Sequence, residues 1–122
     1  SKCVLVVRED SDQMRRYVHI GTGNYNSTTA RMYEDIGFFT CEEAIGADAT
    51  ELFNYLTGYA REPDYQRLFV APHQLRPKLI ELIKGEAAFK EAGHITIKLN
   101  SISDPAIIEA LYAASNVGVK IE

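Results

Sequence analysis

The chain has 122 residues, 46% hydrophobic and 25% charged, which are the values of an ordinary globular sequence and not of a disordered one. Its length suits one ordinary domain or parts of two. A net charge of −4 excludes bulk attraction to nucleic acid or a membrane surface, so any anion site must be local. Apolar runs such as Cys3–Val7 are far too short to span a bilayer, and no signal-peptide pattern is present.

Cys3–Val7 is a continuous β-branched run, as expected of an internal strand covered on both faces. Arg8–Arg15 is charged and reads as an exposed loop leading to a second strand, Arg16–Ile20, the antiparallel partner of the first. Glycine, asparagine, serine and threonine then dominate up to Thr29, so regular structure stops there. Ile36–Thr40 is a short strand. A helix follows, with Asp48 as its cap, Glu51 completing a capping box and Gly58 as its stop. Ile45, Ala49, Leu52, Phe53 and Leu56 fall on one face at helical spacing.

Tyr59–Gln66 breaks the pattern with Pro63 and polar side chains, and its composition places a domain boundary near Tyr65–Arg67. A helix is predicted from about Arg76 to Ala92, with Pro77 in its first turn, Leu79, Leu82 and Ile83 on its apolar face, and Gly93 as terminator. His94–Asn100 alternates strictly, sending Ile95, Ile97 and Leu99 to one side. Asp104–Pro105 opens a third helix with a stripe of Ile107, Ile108, Leu111 and Tyr112, ended by Gly118. Val119–Glu122 resumes a strand. The second half therefore reads helix–strand–helix–strand, with parallel strands joined by a crossover. The sequence starts on one strand and stops on another, as an excised piece would.

The stretch "HIGTGNYN" holds the densest chemistry. Gly21 and Gly23 let backbone N–H groups approach an anion without a Cβ in the way. Thr22, Asn24 and Asn26 add short-armed donors, and Arg31 can fork onto phosphate oxygens. On residues alone the plain glycine turn is the first reading and the anion cradle the second. The segment lacks the third glycine of a dinucleotide fingerprint. His19 by itself reads first as a hydrogen-bonded strand histidine and second as a catalytic group. Tyr33 reads first as core and second as a base-stacking residue. Lys98 and Asn100 lie on the polar side of a strand ahead of a loop, either as a solvated face or as ligand contacts. His73 and His94 lack partners at metal-ligand spacing, and the acidic residues near Ile36 make no divalent-metal pattern. Cys3 and Cys41 have no CxxC spacing and read as buried or half-buried thiols of a cytoplasmic protein.

Four blocks, "YVHIGTGNYNSTTARMYEDIGFFT", "GADATELFNYLTGY", "LFVAPHQLRPKLIELIKGE" and "IKLNSISDPAIIEALYAASNVGVKI", follow one another with the spacing of a known family. Across nearly its whole length the chain resembles the bacterial polyphosphate kinases. The resemblance implies an α/β, phospholipase-D-like fold, with this chain a fragment spanning the back half of one such domain and the front half of the next. Residues 1–67 would be the C-terminal half of the first domain, and 68–122 the N-terminal part of the second.

The family implies reversible transfer of the ATP γ-phosphate to polyphosphate through a phosphohistidine. Ser1 and Lys2 would be the last residues of a histidine–x–lysine element, so the attacking histidine is expected just before Ser1. His19 matches a second histidine near the family's active site, Tyr33 a tyrosine that contacts the nucleotide, and Gly21–Asn24 the superfamily's small-residue and asparagine segment. Lys2 and His19 are thus the catalytic candidates. Tyr33, Gly21, Thr22, Gly23, Asn24, Asn26 and Arg31 are the nucleotide- and phosphate-binding ones. Mg²⁺ is expected with ATP, its contacts coming from residues outside the chain. The implied partners are ATP, ADP and polyphosphate in a cytoplasmic, homo-oligomeric parent, with membrane association of that parent left open and no nucleic acid or transmembrane segment. By itself the fragment is expected to be inactive. The alternatives are a non-catalytic nucleotide- or polyphosphate-binding module and a phospholipase-D-like hydrolase.

Overall fold

In a computed structural model, which describes residues 1–58, 61 and 63–122, the β-branched run that begins at Cys3 does not stop at Val7. Strand β1 covers Lys2–Asp10 and pairs antiparallel with β2, Gln13–Gly21, in a register running from Lys2↔Gly21 to Asp10↔Gln13. Only Ser11 and Asp12 lie between them, at φ 47° and 72°. Two successive left-handed residues are what a type I′ hairpin requires. The loop expected over Arg8–Arg15 is therefore a tight turn flanked by strand. The sequence hid it because Ser-Asp occupies the place where Asn-Gly is the usual signal, aspartate tolerating this backbone region better than most residues.

β3, Gly37–Thr40, adds to the other side of β2 in antiparallel pairing, giving the order β1-β2-β3. The central strand carries the fully buried Val18, at 1% exposure. Arg16 shares that face, and Gly46 of the following helix lies against it, where a Cβ would come 2.9 Å from Arg16 Cβ. The expectation that the first strand is internal and covered on both faces is corrected. Among the described residues β1 pairs with β2 and no other strand, and Val4, Val6 and Val7 are 39%, 48% and 48% exposed.

Helix α1 covers Glu43–Leu56, starting more than a turn before the predicted cap. Asp48 is not a cap but a buried mid-helix side chain, 4% exposed. Its carboxylate accepts the backbone N–H groups of Gln66 (3.0 Å), Arg67 (2.6 Å) and Leu68 (2.9 Å). The inward face is Gly46, Asp48 and Ala49, while Phe53 and Leu56 of the expected stripe are exposed. Gly58 ends the helix region at φ +81°. The polar break expected over Tyr59–Gln66 includes Tyr59, Ala60 and Glu62, which lie outside the described residues. The chain divides into two compact units, Ser1–Leu68 and Phe69–Glu122.

In the second unit α2 covers Leu75–Ala87, and a 3₁₀ turn over Lys90–Ala92 replaces the last turn of the expected longer helix. Gly93 sits there for want of space: a Cβ would meet Glu86 O at 2.8 Å and Val119 Cγ2 at 3.0 Å. β4, His94–Ile95, pairs in parallel with β5, Lys120–Ile121, and bonds from Glu122 N to Ile95 O and from Ile97 N to Glu122 O (both 2.9 Å) extend the pairing. The strand predicted to Asn100 is assigned over His94–Ile95, and its pairing with the last residues of the chain reaches Ile97. α3, Pro105–Asn116, is capped by Asp104, whose side chain accepts from Ala106 N and Ile107 N, and Gly118 follows it at φ +104°. Ile83, Ala110, Ala114 and Val119 form the core, with Ile107, Leu111, Ile95 and Ile121 packed on it. Tyr112, expected on the stripe, is 69% exposed.

Candidate functional site

Residues opposite each other on paired strands share a face and lie about 4.5–5.5 Å apart at Cα. Lys2, Gly21 and Gly37 therefore form one row across the sheet, and Val4, His19 and Phe39 the next. Helix α1 lies against Arg16 on the opposite face. The His19 ring packs against Phe39 at 4.3 Å between centroids, and its Nδ1 lies 2.6 Å from the Tyr25 hydroxyl. The two glycines make room for it. A Cβ on Gly37 would sit 2.8 Å from Nε2, and one on Gly21 would sit 3.2 Å from Cε1. The imidazole thus turns Nδ1 towards the loop and holds Nε2 over the row whose third member is Lys2.

The loop after β2 is tied down by its own polar groups. Thr22 N donates to Ile36 O at 2.9 Å, Thr22 Oγ1 donates to Asp35 Oδ1 at 3.0 Å, and Ile36 N donates back to Thr22 Oγ1 at 3.0 Å. At Gly23 a Cβ would come 2.8 Å from Asp35 Oδ2, so a larger residue would have to displace that carboxylate. Asn26 Oδ1 accepts from the N–H groups of Thr28 (2.9 Å) and Thr29 (3.0 Å), which starts the 3₁₀ turn Thr29–Arg31. A cavity of about 320 Å³ opens beside this loop.

Of the candidates, His19, Gly21, Gly23, Asn24 and Tyr33 line that cavity together. Tyr33 is 56% exposed, so the core reading of that residue is corrected. Thr22 and Asn26 have their side chains engaged in shaping the loop. Arg31 is exposed at the end of the 3₁₀ turn, and half-buried Lys2 stands in the glycine row, outside the cavity lining. Sequence reasoning missed Tyr25, Asp35 and Gly37, which also line the cavity, and Phe39, which packs the histidine. The signals for Gly37 and Phe39 lie in register: they stand opposite Gly21 and His19, a relation visible only once the strands are paired.

His94 Nε2 lies 3.1 Å from Glu122 Oε2 at the exposed strand ends. Cys3 and Cys41 are free thiols; burial pushes Cys3 up, whereas Cys41 is exposed and not the buried or half-buried group expected. Among the described residues no group of three or more His, Cys, Asp and Glu side chains is placed to hold a metal ion. Among them, too, no helix is long and apolar enough to cross a membrane.

The description "Polyphosphate kinase C-terminal domain 1" matches residues 1–62, and "Polyphosphate kinase C-terminal domain 2" matches residues 68–122. A polyphosphate kinase of Thermosynechococcus vestitus is 53% identical over 125 residues, covering 100% of this chain and 17% of the relative. One from Mycobacterium marinum is 53% identical over 128 residues, covering 99% and 17%. The crystal structure of polyphosphate kinase from Porphyromonas gingivalis superposes with a TM-score of 0.84 at 30% identity, over 98% of this chain and 19% of that one. The architecture is that of an α/β, phospholipase-D-like protein. Within that class the chain belongs to the polyphosphate kinase family, of whose curated members it spans about 17% of the length.

Proposed function

We propose that these residues form part of the catalytic core of an enzyme that moves the ATP γ-phosphate reversibly onto polyphosphate by way of a phosphohistidine. Residues 1–67 are taken as the C-terminal half of the first phospholipase-D-like domain and 68–122 as the start of the second. The observation that carries the reading is the His19 ring, with Nε2 held over the Lys2–Gly21–Gly37 row beside a small cavity lined by Gly23, Asn24 and Tyr33. A phosphoryl group in flight spreads negative charge over its oxygens, and fixed donors and cations lower its energy most when they are already in place. His19 supplies an N–H, Lys2 a charge and the glycine loop its backbone amides, while Tyr33 offers an exposed ring for the nucleotide base.

The cavity's carboxylate, Asp35, is held by Thr22 and, among the described residues, belongs to no group of three or more side chains that could hold a metal ion. The residues described here do not fit a Mg²⁺ site, and no step is assigned to one. The attacking histidine is not His19, so the isolated chain is expected to form no phosphohistidine with ATP and Mg²⁺; a stoichiometric phosphoryl adduct on His19 by intact mass would overturn that assignment. In the full-length enzyme carrying this sequence, His19→Ala should lower turnover by about 10²-fold. Near-unchanged turnover would return His19 to a purely structural role.

A further inference from the structure

Tyr25 was not among the candidates, yet it is the residue whose side chain bonds the ring nitrogen His19 turns to the loop. A neutral imidazole carries one N–H and one lone pair, and the bond made by one nitrogen decides what the other presents. The ring has little freedom to choose otherwise. Phe39 packs on it at 4.3 Å, and Gly21 and Gly37 fit closely against its Cε1–Nε2 edge. Tyr25 is 61% exposed and lines the same cavity as His19.

We infer that Tyr25 is a positioning residue: its O–H donates to His19 Nδ1 and so fixes the proton on Nε2, the nitrogen over the Lys2–Gly21–Gly37 row. The inference rests on the reading that His19 meets a phosphoryl oxygen, for which Nε2–H is the useful form. In the opposite tautomer Nδ1–H would donate to Tyr25, and a bare lone pair on Nε2 would face the anion and repel it. The hydroxyl therefore keeps the ring in its donor state before any ligand arrives.

The test uses the full-length enzyme with ring-¹⁵N-labelled histidine at pH 9, where an imidazole is ordinarily neutral. The His19 signals are assigned by their loss in His19→Gln. The expected spectrum has the proton on Nε2, and Tyr25→Phe should give a mixture of tautomers. A proton on Nδ1, or a spectrum unchanged by Tyr25→Phe, overturns the inference. Kinetically, Tyr25→Phe should lower kcat about three- to tenfold, the scale of one neutral hydrogen bond, with KM for ATP within about twofold. Added to His19→Ala it should cost nothing further, whereas an additive loss would show that Tyr25 acts through its own contact and overturn the assignment. Should His19→Ala leave turnover intact, the functional reading fails, and the spectra still decide the tautomer by themselves.

Discussion

Removing the Asp48 carboxylate takes away the acceptor for three consecutive backbone N–H groups, those of Gln66, Arg67 and Leu68 at 3.0, 2.6 and 2.9 Å. Hydrogen bonds to a charged acceptor contribute about 1.5–3 kcal/mol each, so a plain sum would be about 4.5–9 kcal/mol. That sum is too large here. Gln66 and Arg67 are exposed, and their freed N–H groups can turn to water once the segment lifts. About 3–4 kcal/mol is the defensible figure for Asp48→Ala, and with about 1.4 kcal/mol per decade it raises the open population of this segment about 10²- to 10³-fold. Limited trypsin digestion of the full-length protein reads that population directly when opening is faster than cleavage. Cleavage after Arg67 should accelerate by that factor, and Asp48→Asn, which keeps one carbonyl oxygen, should fall between. Glu42→Gln provides the contrast. It breaks only the exposed Arg67–Glu42 ion pair at 3.4 Å and should change the rate less than about threefold. An Asp48→Ala protein that folds and is cut after Arg67 at the wild-type rate would refute the reasoning.

Gly37→Ala puts a Cβ 2.8 Å from His19 Nε2 and must turn the ring, so turnover of the full-length enzyme should fall about tenfold or more. Gly85→Ala meets nothing within 4 Å inside α2 and should instead stabilise by about 0.5–1 kcal/mol in thermal unfolding. The Arg76 guanidinium, and then the Ile107 N–H, hold the Asp104 carboxyl below its ordinary value of 3.8. A lowered folded-state value means the contribution is complete above 3.8 and is lost as pH falls through the folded value. Asp104→Asn should therefore flatten the stability profile below about pH 4 and leave its slope near neutrality unchanged. Cys41, exposed, should react with iodoacetamide before Cys3, whose burial raises its thiol; peptide mass mapping that finds Cys3 labelled first would contradict this.

Much of the fold was legible because local physics speaks in one dimension. The paired strands around His19, the break at the glycine loop, the Asp104 cap and the stops at Gly58 and Gly118 all follow from periodicity and backbone preference. The failures arise where a partner distant in sequence decides the outcome. Asp48–Glu51 has the spacing of a capping box, yet mid-helix burial of Asp48 is stabilised by amides about twenty positions on, which no helix signal encodes. Strict alternation over His94–Asn100 promised a long strand, whereas the assigned strand is His94–Ile95 with one further bond at Ile97.

By itself the sequence determined the family, through four ordered blocks, and the small-residue loop that must follow the second strand. Tertiary structure alone decided how that loop becomes a site. Cross-strand register sets Gly37 beside Gly21 and Phe39 beside His19, and the fold of the loop brings Tyr25 to Nδ1 and Asp35 against Gly23. Those contacts join residues far apart or out of phase along the chain. They exist only because hydrogen bonding between strands fixes which side chains share a face, a condition on pairs of segments that no single segment carries.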